Sequence, residues 1–137
     1  MKLNTTSQHA IRIMTYITKH SEKEFHNAKD ISEQLDIPYK YLTKVMTQLV
    51  SANILMSTRG REGGYFLTQK ADTIKIIDIL NAVNESLHDT SCILGSSTCN
   101  PEKKCVLHDQ WARPKNSIIT MFTNTTLSDI HKGNYKI

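Results

Sequence analysis

The chain has 137 residues, enough for one domain with an adequate core and an appended element. Hydrophobic residues make up 39% and charged residues 22%, ordinary values for a soluble globular protein. No apolar run approaches the roughly 20 residues needed to span a bilayer, which argues against a membrane protein. Residues 1–68 carry nine Lys or Arg against six Asp or Glu, most of the net charge of +4, and this basic half is compatible with a polyanionic partner.

The first residues lack the apolar core and the small-residue cleavage site of a signal peptide. We therefore expect a cytoplasmic protein, in which thiols stay reduced. Under those conditions cysteines favour metal or redox chemistry over structural disulfides, and the three cysteines of this chain cannot all pair with one another.

Helical periodicity predicts three helices in the first half, over about 6–20, 28–35 and 38–52. Thr6 or Ser7 is a good N-cap for the first helix. Pro38 separates the second helix from the third, because proline disfavours helical geometry in the residue before it. The third helix has an apolar stripe and a polar, basic outer face. The residues expected on that outer face are Tyr39, Lys40, Thr43, Lys44, Thr47 and Gln48.

Two helices joined by a tight turn, the second with a basic outer face, form the plan of a helix-turn-helix. An ordinary helical hairpin with a solvated face has the same pattern. The next segment favours the first interpretation, because strand candidates at 54–57 and 65–68 flank a glycine-rich tip that carries Arg59 and Arg61. Arginines on such a tip can contact phosphates or enter a narrow minor groove, so the order predicts a winged helix.

A fourth helix is expected from a cap at Asp72 or Thr73 to about Asn84. Residues 86–104 then show almost no periodicity and predict a loop of roughly twenty residues, longer than compact domains usually tolerate without a reason. All three cysteines lie in this loop or at its end. The candidate ligands are Cys92, Cys99 and Cys105, with His108 three residues further on.

Thiolates are soft ligands that suit iron–sulfur clusters, zinc or copper(I), and a histidine can complete a four-ligand set. If a helix starts near Cys105, the side chains of Cys105 and His108 share one face of it. Asp109, the next residue, is then an oxygen ligand that competes with His108 for the metal. The alternative is that the cysteines are small buried hydrophobes, which fits poorly with the polar neighbours of Cys92 and Cys99. The histidines without ligand spacing, expected at the surface, are His20, His26, His88 and His131.

The wing at 57–65, the three cysteines, the segment at 84–86 and the segment at 126–130 together resemble bacterial Rrf2-type regulators, which are iron–sulfur winged-helix transcription regulators. The resemblance covers nearly the whole chain. It implies an iron–sulfur cluster bound by Cys92, Cys99 and Cys105, and a homodimer in which a long helix after the cysteines crosses its partner. In the IscR-like branch a histidine placed like His108 is the fourth ligand of a [2Fe-2S] cluster, the form that we favour.

In the NsrR-like branch an acidic residue near the N-terminus of the other subunit completes a [4Fe-4S] cluster. This chain has Gln8 at that position, with His9 beside it, so the number of irons stays open.

The predicted fold is mainly α. A winged helix-turn-helix with a two-stranded β wing occupies 1–84, a cluster-binding loop 85–108, and a long dimerisation helix with a C-terminal segment 109–137. Pro114 predicts that this helix runs from about 114 to 124. One stripe of it is more apolar than so short an appendage could bury alone, which indicates a partner chain. The stripe consists of Trp111, Ile118, Ile119 and Phe122.

The predicted function is a non-enzymatic transcription regulator, a repressor, whose dimer binds a pseudo-palindromic operator in double-stranded DNA. Its cluster reports cluster supply, iron, redox stress or nitric oxide. One alternative is structural zinc or redox-active thiols in place of the cluster. Another is an iron–sulfur enzyme or electron carrier, against which stands the lack of a glycine-rich nucleotide loop and of a nucleophile–base signature. The predicted DNA contacts are Tyr39, Lys40, Tyr41, Thr43, Lys44, Arg59, Gly60 and Arg61.

Overall fold

The computed structural model describes residues 2–85, 87, 93–94 and 100–132. These residues form helices and a two-stranded sheet in the following order. The elements are α1 (Thr5–Lys19), α2 (Ala28–Leu35), α3 (Tyr39–Ser51), β1 (Leu55–Thr58), β2 (Gly64–Leu67), α4 (Ile76–Ala82), α5 (His108–Asn124) and α6 (Leu127–Lys132). Among the described residues, no helix combines the length and the apolar character that crossing a bilayer would need.

A tight turn joins α2 to α3 and confirms the predicted helix-turn-helix. Asp36 ends α2 in the left-handed conformation, with φ of 51°, which a short polar residue tolerates better than most. Ile37 is almost fully buried, and its N–H donates to the carbonyl of Ser32 at 3.0 Å. Pro38 is the N-cap of α3. The turn is thus fixed by one buried side chain and by the restricted backbone of Pro38.

The wing is an antiparallel hairpin in which Leu55 lies opposite Leu67 and Thr58 lies opposite Gly64. Each strand is offset by one residue from the prediction, but the hairpin itself is confirmed. Gly60 at the tip has φ of +118°, a conformation that favours glycine. The tip, residues 59–63, closes with a hydrogen bond from the Gly63 N–H to the Gly60 carbonyl at 3.1 Å.

The hydrophobic core is arranged around α1, which packs against α2, α3, α4 and α6. The apolar stripes predicted for α1 and α4 are buried. The two stripes consist of Ala10, Ile13, Met14 and Ile17 in α1 and Ile76, Ile77, Leu80 and Val83 at α4. In α3, Leu42, Val45, Met46 and Leu49 are buried, whereas Val50 at its C-terminal end is half-buried. The recognition-helix candidate α3 is therefore held by the same core as α1 and α4.

The last described helix, α6, was not predicted and belongs to this core. Leu127 is fully buried, and its N–H donates to the carbonyl of Ile74 at 2.8 Å. The N–H of Ile76 donates in return to the carbonyl of Thr125 at 3.0 Å. At the start of α6 the Asp129 carboxylate accepts from the N–H and the hydroxyl of Thr126, at 2.9 and 2.7 Å. The C-terminal part of the chain thus returns to the winged-helix core.

Two predicted helix starts were wrong because side chains are used differently from what the sequence suggested. Helix α1 begins at Thr5, since Asn4 is the N-cap and its Oδ1 accepts from the N–H of Ser7 at 2.9 Å. Helix α4 begins at Ile76. Thr73, expected to cap it, instead donates its hydroxyl proton to the carbonyl of Lys70 at 2.7 Å.

Helix α5 begins at His108, not near Pro114 as predicted, and carries Pro114 in its interior. Proline removes one N–H, so the carbonyl of Gln110 lacks its usual helical donor. The turn before it is already closed, with the N–H of Trp111 donating to the carbonyl of Leu107 at 2.8 Å. The helix tolerates this single loss within 17 residues and packs on α4, although none of its residues is buried.

Candidate nucleic-acid interface and cysteine site

The exposed face of α3 is basic, and the whole helix contains no acidic residue. Tyr39, Lys40 and Lys44 are exposed, and Thr43 is half-buried with its hydroxyl donating to the carbonyl of Lys40 at 3.0 Å. These residues lie in the first two turns of α3, and the partial positive charge of the helix N-terminus adds to theirs at the first turn. The N-terminal part of α3 therefore presents donors and cations to a polyanion.

Tyr41 differs from the other predicted contacts because its side chain lies against α1. It is half-buried, and its hydroxyl is 2.5 Å from the hydroxyl of Thr6. Its ring lies 5.4 Å from the ring of His9 in an edge-to-face arrangement. Tyr41 thus connects the recognition-helix candidate to the N-terminal helix.

The wing tip carries the second group of predicted contacts. Arg59, Gly60 and Arg61 are all exposed. Neither arginine forms an ion pair with another residue in the part of the chain that the structure describes. Both guanidinium groups are therefore available for phosphate oxygens.

Of the predicted metal ligands, Cys92 and Cys99 lie outside the described residues. Cys105 is a free, half-buried thiol just before α5, and its carbonyl accepts from the N–H of His108 at 3.0 Å. His108 is the first residue of α5 and is half-buried, so Cys105 belongs to the preceding turn and not to the helix. Within residues 2–85, 87, 93–94 and 100–132, no three His, Cys, Asp or Glu side chains gather as a metal site.

The expected oxygen competitor, Asp109, is already engaged by a cation. Its carboxylate accepts from the Lys104 ammonium at 2.9 Å. This hydrogen bond and the charge of Lys104 lower the pKa of the Asp109 carboxyl. In this arrangement Asp109 is therefore one half of an ion pair with Lys104.

The N-terminal candidates Gln8 and His9 are also engaged within their own chain. The amide of Gln8 donates to the carbonyl of Leu3 at 2.6 Å. His9 Nδ1 lies 3.4 Å from a guanidinium nitrogen of Arg12, and burial together with that positive charge lowers the pKa of the His9 imidazole. Arg12 in turn donates to the carbonyl of Leu35 at 2.7 Å.

The prediction that His26 is a surface residue was wrong. His26 is only 4% exposed and lies between Tyr16 of α1 and the wing. Burial lowers the pKa of the His26 imidazole, and the positive charges of Lys23 and His20 lower it further. His20 is half-buried and lies 3.4 Å from Glu22, and His131 is exposed. His88 lies outside the described residues.

A contact between the Glu85 carboxylate and the first turn of α1 was not predicted from the sequence. Glu85 Oε2 accepts from the N–H of Asn4 at 3.0 Å and from the hydroxyl of Ser7 at 2.6 Å. The available signal was the lack of any acidic residue in the first turn of α1, where a negative charge is stabilising.

A helix-turn-helix followed by a β hairpin with an exposed basic tip defines the winged-helix class of DNA-binding proteins. A family model described as "Iron-dependent Transcriptional regulator" (Rrf2) matches residues 3–133, and the chain belongs to this Rrf2 family. It is 33% identical over 134 residues to the HTH-type transcriptional regulator IscR of Vibrio vulnificus strain YJ016, covering 98% of this chain and 79% of that protein. IscR of Erwinia tasmaniensis is 30% identical over 130 residues, covering 95% and 78%.

Solved structures confirm the fold. CymR, described as the global cysteine regulator of B. subtilis, superimposes with a TM-score of 0.83 at 21% identity, covering 96% of this chain and 97% of that one. IscR of T. potens superimposes with a TM-score of 0.76 at 23% identity, covering 96% and 87%. The predicted family and winged-helix fold are confirmed. The chain is a DNA-binding transcriptional regulator and not an enzyme.

Proposed function

We propose that this regulator holds an iron–sulfur cluster through Cys92, Cys99 and Cys105 and that the state of the cluster sets its affinity for operator DNA. The observation that carries the proposal is the cysteine triad in a chain matched along most of its length by an iron-dependent regulator family. The donor set fits the group, because thiolates are the usual ligands of iron–sulfur clusters and Cys105 is a free thiol.

His108 is our candidate for the fourth ligand, which favours [2Fe-2S] over [4Fe-4S]. His108 follows Cys105 by one turn of chain and is half-buried at the start of α5. The oxygen donor beside it, Asp109, forms an ion pair with Lys104. The amide of Gln8, at the position of an acidic ligand in one branch of the family, is bonded to Leu3. When bound, the cluster supplies a centre that iron supply, oxidants or nitric oxide can alter.

The ligand assignment is tested by metal analysis of protein purified without oxygen. We expect stoichiometric iron and acid-labile sulfide in the wild type, with Mössbauer spectra of a cluster that has one nitrogen-ligated iron. Cys105→Ser should lose most of the iron, and His108→Ala should lose iron or change the spectrum. Asp109→Asn is the matched control and should equal the wild type. A colourless protein that contains zinc, or no metal at all, would contradict the proposal and favour structural zinc or redox-active thiols.

In the proposed complex, each α3 enters a major groove and the wings reach the adjacent minor groove or its phosphates. Tyr39, Thr43 and Lys44 are the candidates for contacts inside the groove, with Tyr41 at the edge of this surface. Lys40, Arg59 and Arg61 are the candidates for phosphate contacts, and Gly60 lets the wing tip approach the duplex closely. Bound in the cytoplasm across a promoter, such a protein acts as a repressor.

Helix α5 supports a homodimer. Ile119 and Phe122 pack against the core, whereas Trp111 and Ile118 do not contribute to it and Met121 is 52% exposed. A second copy is the natural cover for this remaining apolar face, and the two-fold axis of a homodimer suits a pseudo-palindromic operator. Sedimentation equilibrium at micromolar concentration should give the mass of two chains, and a monomer at the concentration that binds DNA would contradict this part of the proposal.

A further inference from the structure

The first turn of α1 forms hydrogen bonds with two other parts of the chain, Glu85 and α3. On one side, the Glu85 carboxylate accepts from the Asn4 N–H at 3.0 Å and from the Ser7 hydroxyl at 2.6 Å. On the other side, the Thr6 hydroxyl is 2.5 Å from the hydroxyl of Tyr41 on α3. Thr6 and Ser7 are consecutive residues of one helical turn, so the two contacts share a rigid backbone.

Glu85 is the last residue before the cysteine segment, which comprises residues 86–105. Asn84 adopts the left-handed conformation with φ of 60°, and the N–H of Glu85 donates to the carbonyl of Leu80 at 2.9 Å. This closure of the α4 C-terminus holds the backbone of Glu85 while its side chain reaches α1. Any rearrangement that starts at residue 86 therefore acts first on the backbone that aims this carboxylate.

The contact between Glu85 and α1 is stabilised by burial and by charge. Ser7 is fully buried, and α1 has no acidic residue of its own in its first turn. The Glu85 carboxylate thus supplies the negative charge that the N-terminus of a helix favours, at a site where water does not reach the Ser7 hydroxyl. Without this carboxylate, a buried hydroxyl would be left without its acceptor.

The contact between α1 and α3 is equally specific. Tyr41 is half-buried, its hydroxyl meets Thr6, and the His9 ring packs edge-to-face on its ring at 5.4 Å. Tyr41 is flanked by Lys40 and lies one turn before Lys44, which are exposed on the basic face of α3. A shift of the first turn of α1 is therefore transmitted to the part of α3 that carries the candidate DNA contacts.

We propose that Glu85, Ser7, Thr6 and Tyr41 form a relay that couples the cysteine segment to the recognition helix. All four are positioning residues, because they act on DNA binding through the orientation of α3. The inference rests on the proposed function, since it supposes that cluster binding changes the affinity for DNA. Coupling of this kind requires that the relay geometry differ in free energy between the two forms of the protein.

The measured quantity is the ratio of operator dissociation constants between the cluster-free and the cluster-loaded protein, determined for each variant. We expect Ser7→Ala, Thr6→Val and Tyr41→Phe each to move this ratio toward one by about 3-fold or more, the range in which mutations along a coupled network act. Thr5→Val is the matched control, because Thr5 lies in the same turn with an exposed side chain and should keep the wild-type ratio.

The ratio separates positioning from direct contact. If the Tyr41 hydroxyl merely touched DNA, Tyr41→Phe would weaken both forms equally and leave the ratio unchanged. In a single relay, the double variant Ser7→Ala/Tyr41→Phe should lose no more of the ratio than either single variant. Hydrogen exchange gives a second readout: the amides of the first turn of α1 should differ in protection between the two wild-type forms and not between the two forms of Ser7→Ala.

The outcomes distinguish the relay from the proposed function. A wild-type ratio of one contradicts the proposed function, and the relay with it. The relay alone is overturned if the wild-type ratio of dissociation constants differs from one and both Thr6→Val and Ser7→Ala keep that same ratio. If Ser7→Ala does not fold, Glu85→Gln replaces it, with Glu33→Gln on the exposed surface of α2 as its control.

Discussion

His26 and Tyr65 exchange two backbone hydrogen bonds, each 2.9 Å long, which attach the wing to the chain that follows α1. The wing is therefore not a free hairpin: its second strand is bonded on both edges. Gly64 lies beside this contact, and a Cβ there would stand 2.7 Å from the carbonyl oxygen of His26. Only a residue without a side chain allows the two backbones to come this close.

Substitution of Gly64 should displace the wing. We expect Gly64→Ala to lower the free energy of unfolding by about 2 kcal/mol, since two backbones must separate, and to weaken operator binding. Gly60→Ala is the comparison, because a Cβ at position 60 would have open space around it, although the backbone there has a φ of +118°. Gly60→Ala should lower the free energy of unfolding by about 1 kcal/mol and leave the wing attached to His26. Urea unfolding and operator titrations give both values, and equal DNA binding by Gly64→Ala and the wild type would contradict the role of this contact.

The buried His26 predicts an acid-sensitive core at the base of the wing. Its pKa is lowered by burial and by Lys23 and His20, so the unfolded chain binds the proton more readily than the folded one. The stabilisation by neutral His26 is thus complete above the unfolded value of about 6.5 and is lost as the pH falls below it.

Unfolding experiments between pH 7.5 and pH 5 should show this loss, and His26→Gln should reduce its slope. His9→Gln should remove a separate contribution to the pH dependence of the free energy of unfolding, because burial and the charge of Arg12 also lower the pKa of His9. A slope that is unchanged in His26→Gln would show that His26 does not titrate as its surroundings require.

The arginines of the wing tip predict a defined change in salt dependence. Removing one phosphate contact should flatten the slope of log affinity against log salt by about 0.9. We expect this change for Arg61→Ala and for Arg59→Ala, measured on the operator between low and physiological salt. Lys132→Ala, which removes an exposed cation from α6, is the control. An Arg61→Ala variant with the slope and affinity of the wild type would remove that residue from the interface.

The burial of Leu127 predicts that α6 stabilises the DNA-binding core. Leu127→Ala should lower the free energy of unfolding by about 3 kcal/mol, as expected for a fully buried leucine. Val106→Ala, at a position that is 85% exposed, should stay within about 0.5 kcal/mol of the wild type. Both are measured on metal-free protein by urea denaturation. A loss below about 1 kcal/mol for Leu127→Ala would mean that α6 is only loosely docked.

The parts of the fold that follow from local patterns could be predicted. The α1 stripe and the turn at Pro38 depend on periodicity and proline chemistry, and the wing depends on its glycines, so the sequence alone indicates them. The helix α6 packs on a core that is distant in sequence, and the contact of Glu85 with Ser7 joins residues 78 positions apart. The first turn of α1 has no acidic residue of its own, which indicates that a carboxylate from elsewhere is favourable there, but no local pattern identifies Glu85 as its source.

The candidate site divides in the same way. The exposed basic residues of α3 were expected from its amphipathicity, and those of the wing tip from the glycine-rich segment between two strand candidates. The attachment of Tyr41 to Thr6 was not, because it depends on how α1 crosses α3. The ligand roles of Cys92, Cys99, Cys105 and His108 stay predictions.

The central claim, that a cluster held by the cysteine segment controls the binding of α3 to DNA, is tested most directly by one paired measurement. An operator is first selected from random-sequence DNA, and a single anaerobic preparation is divided into a cluster-loaded half and a half stripped of iron and sulfide. We predict operator affinities that differ by at least about 5-fold between the two halves, the lower end of typical coupling between sites. Equal affinities, with both halves folded and dimeric, would contradict the claim.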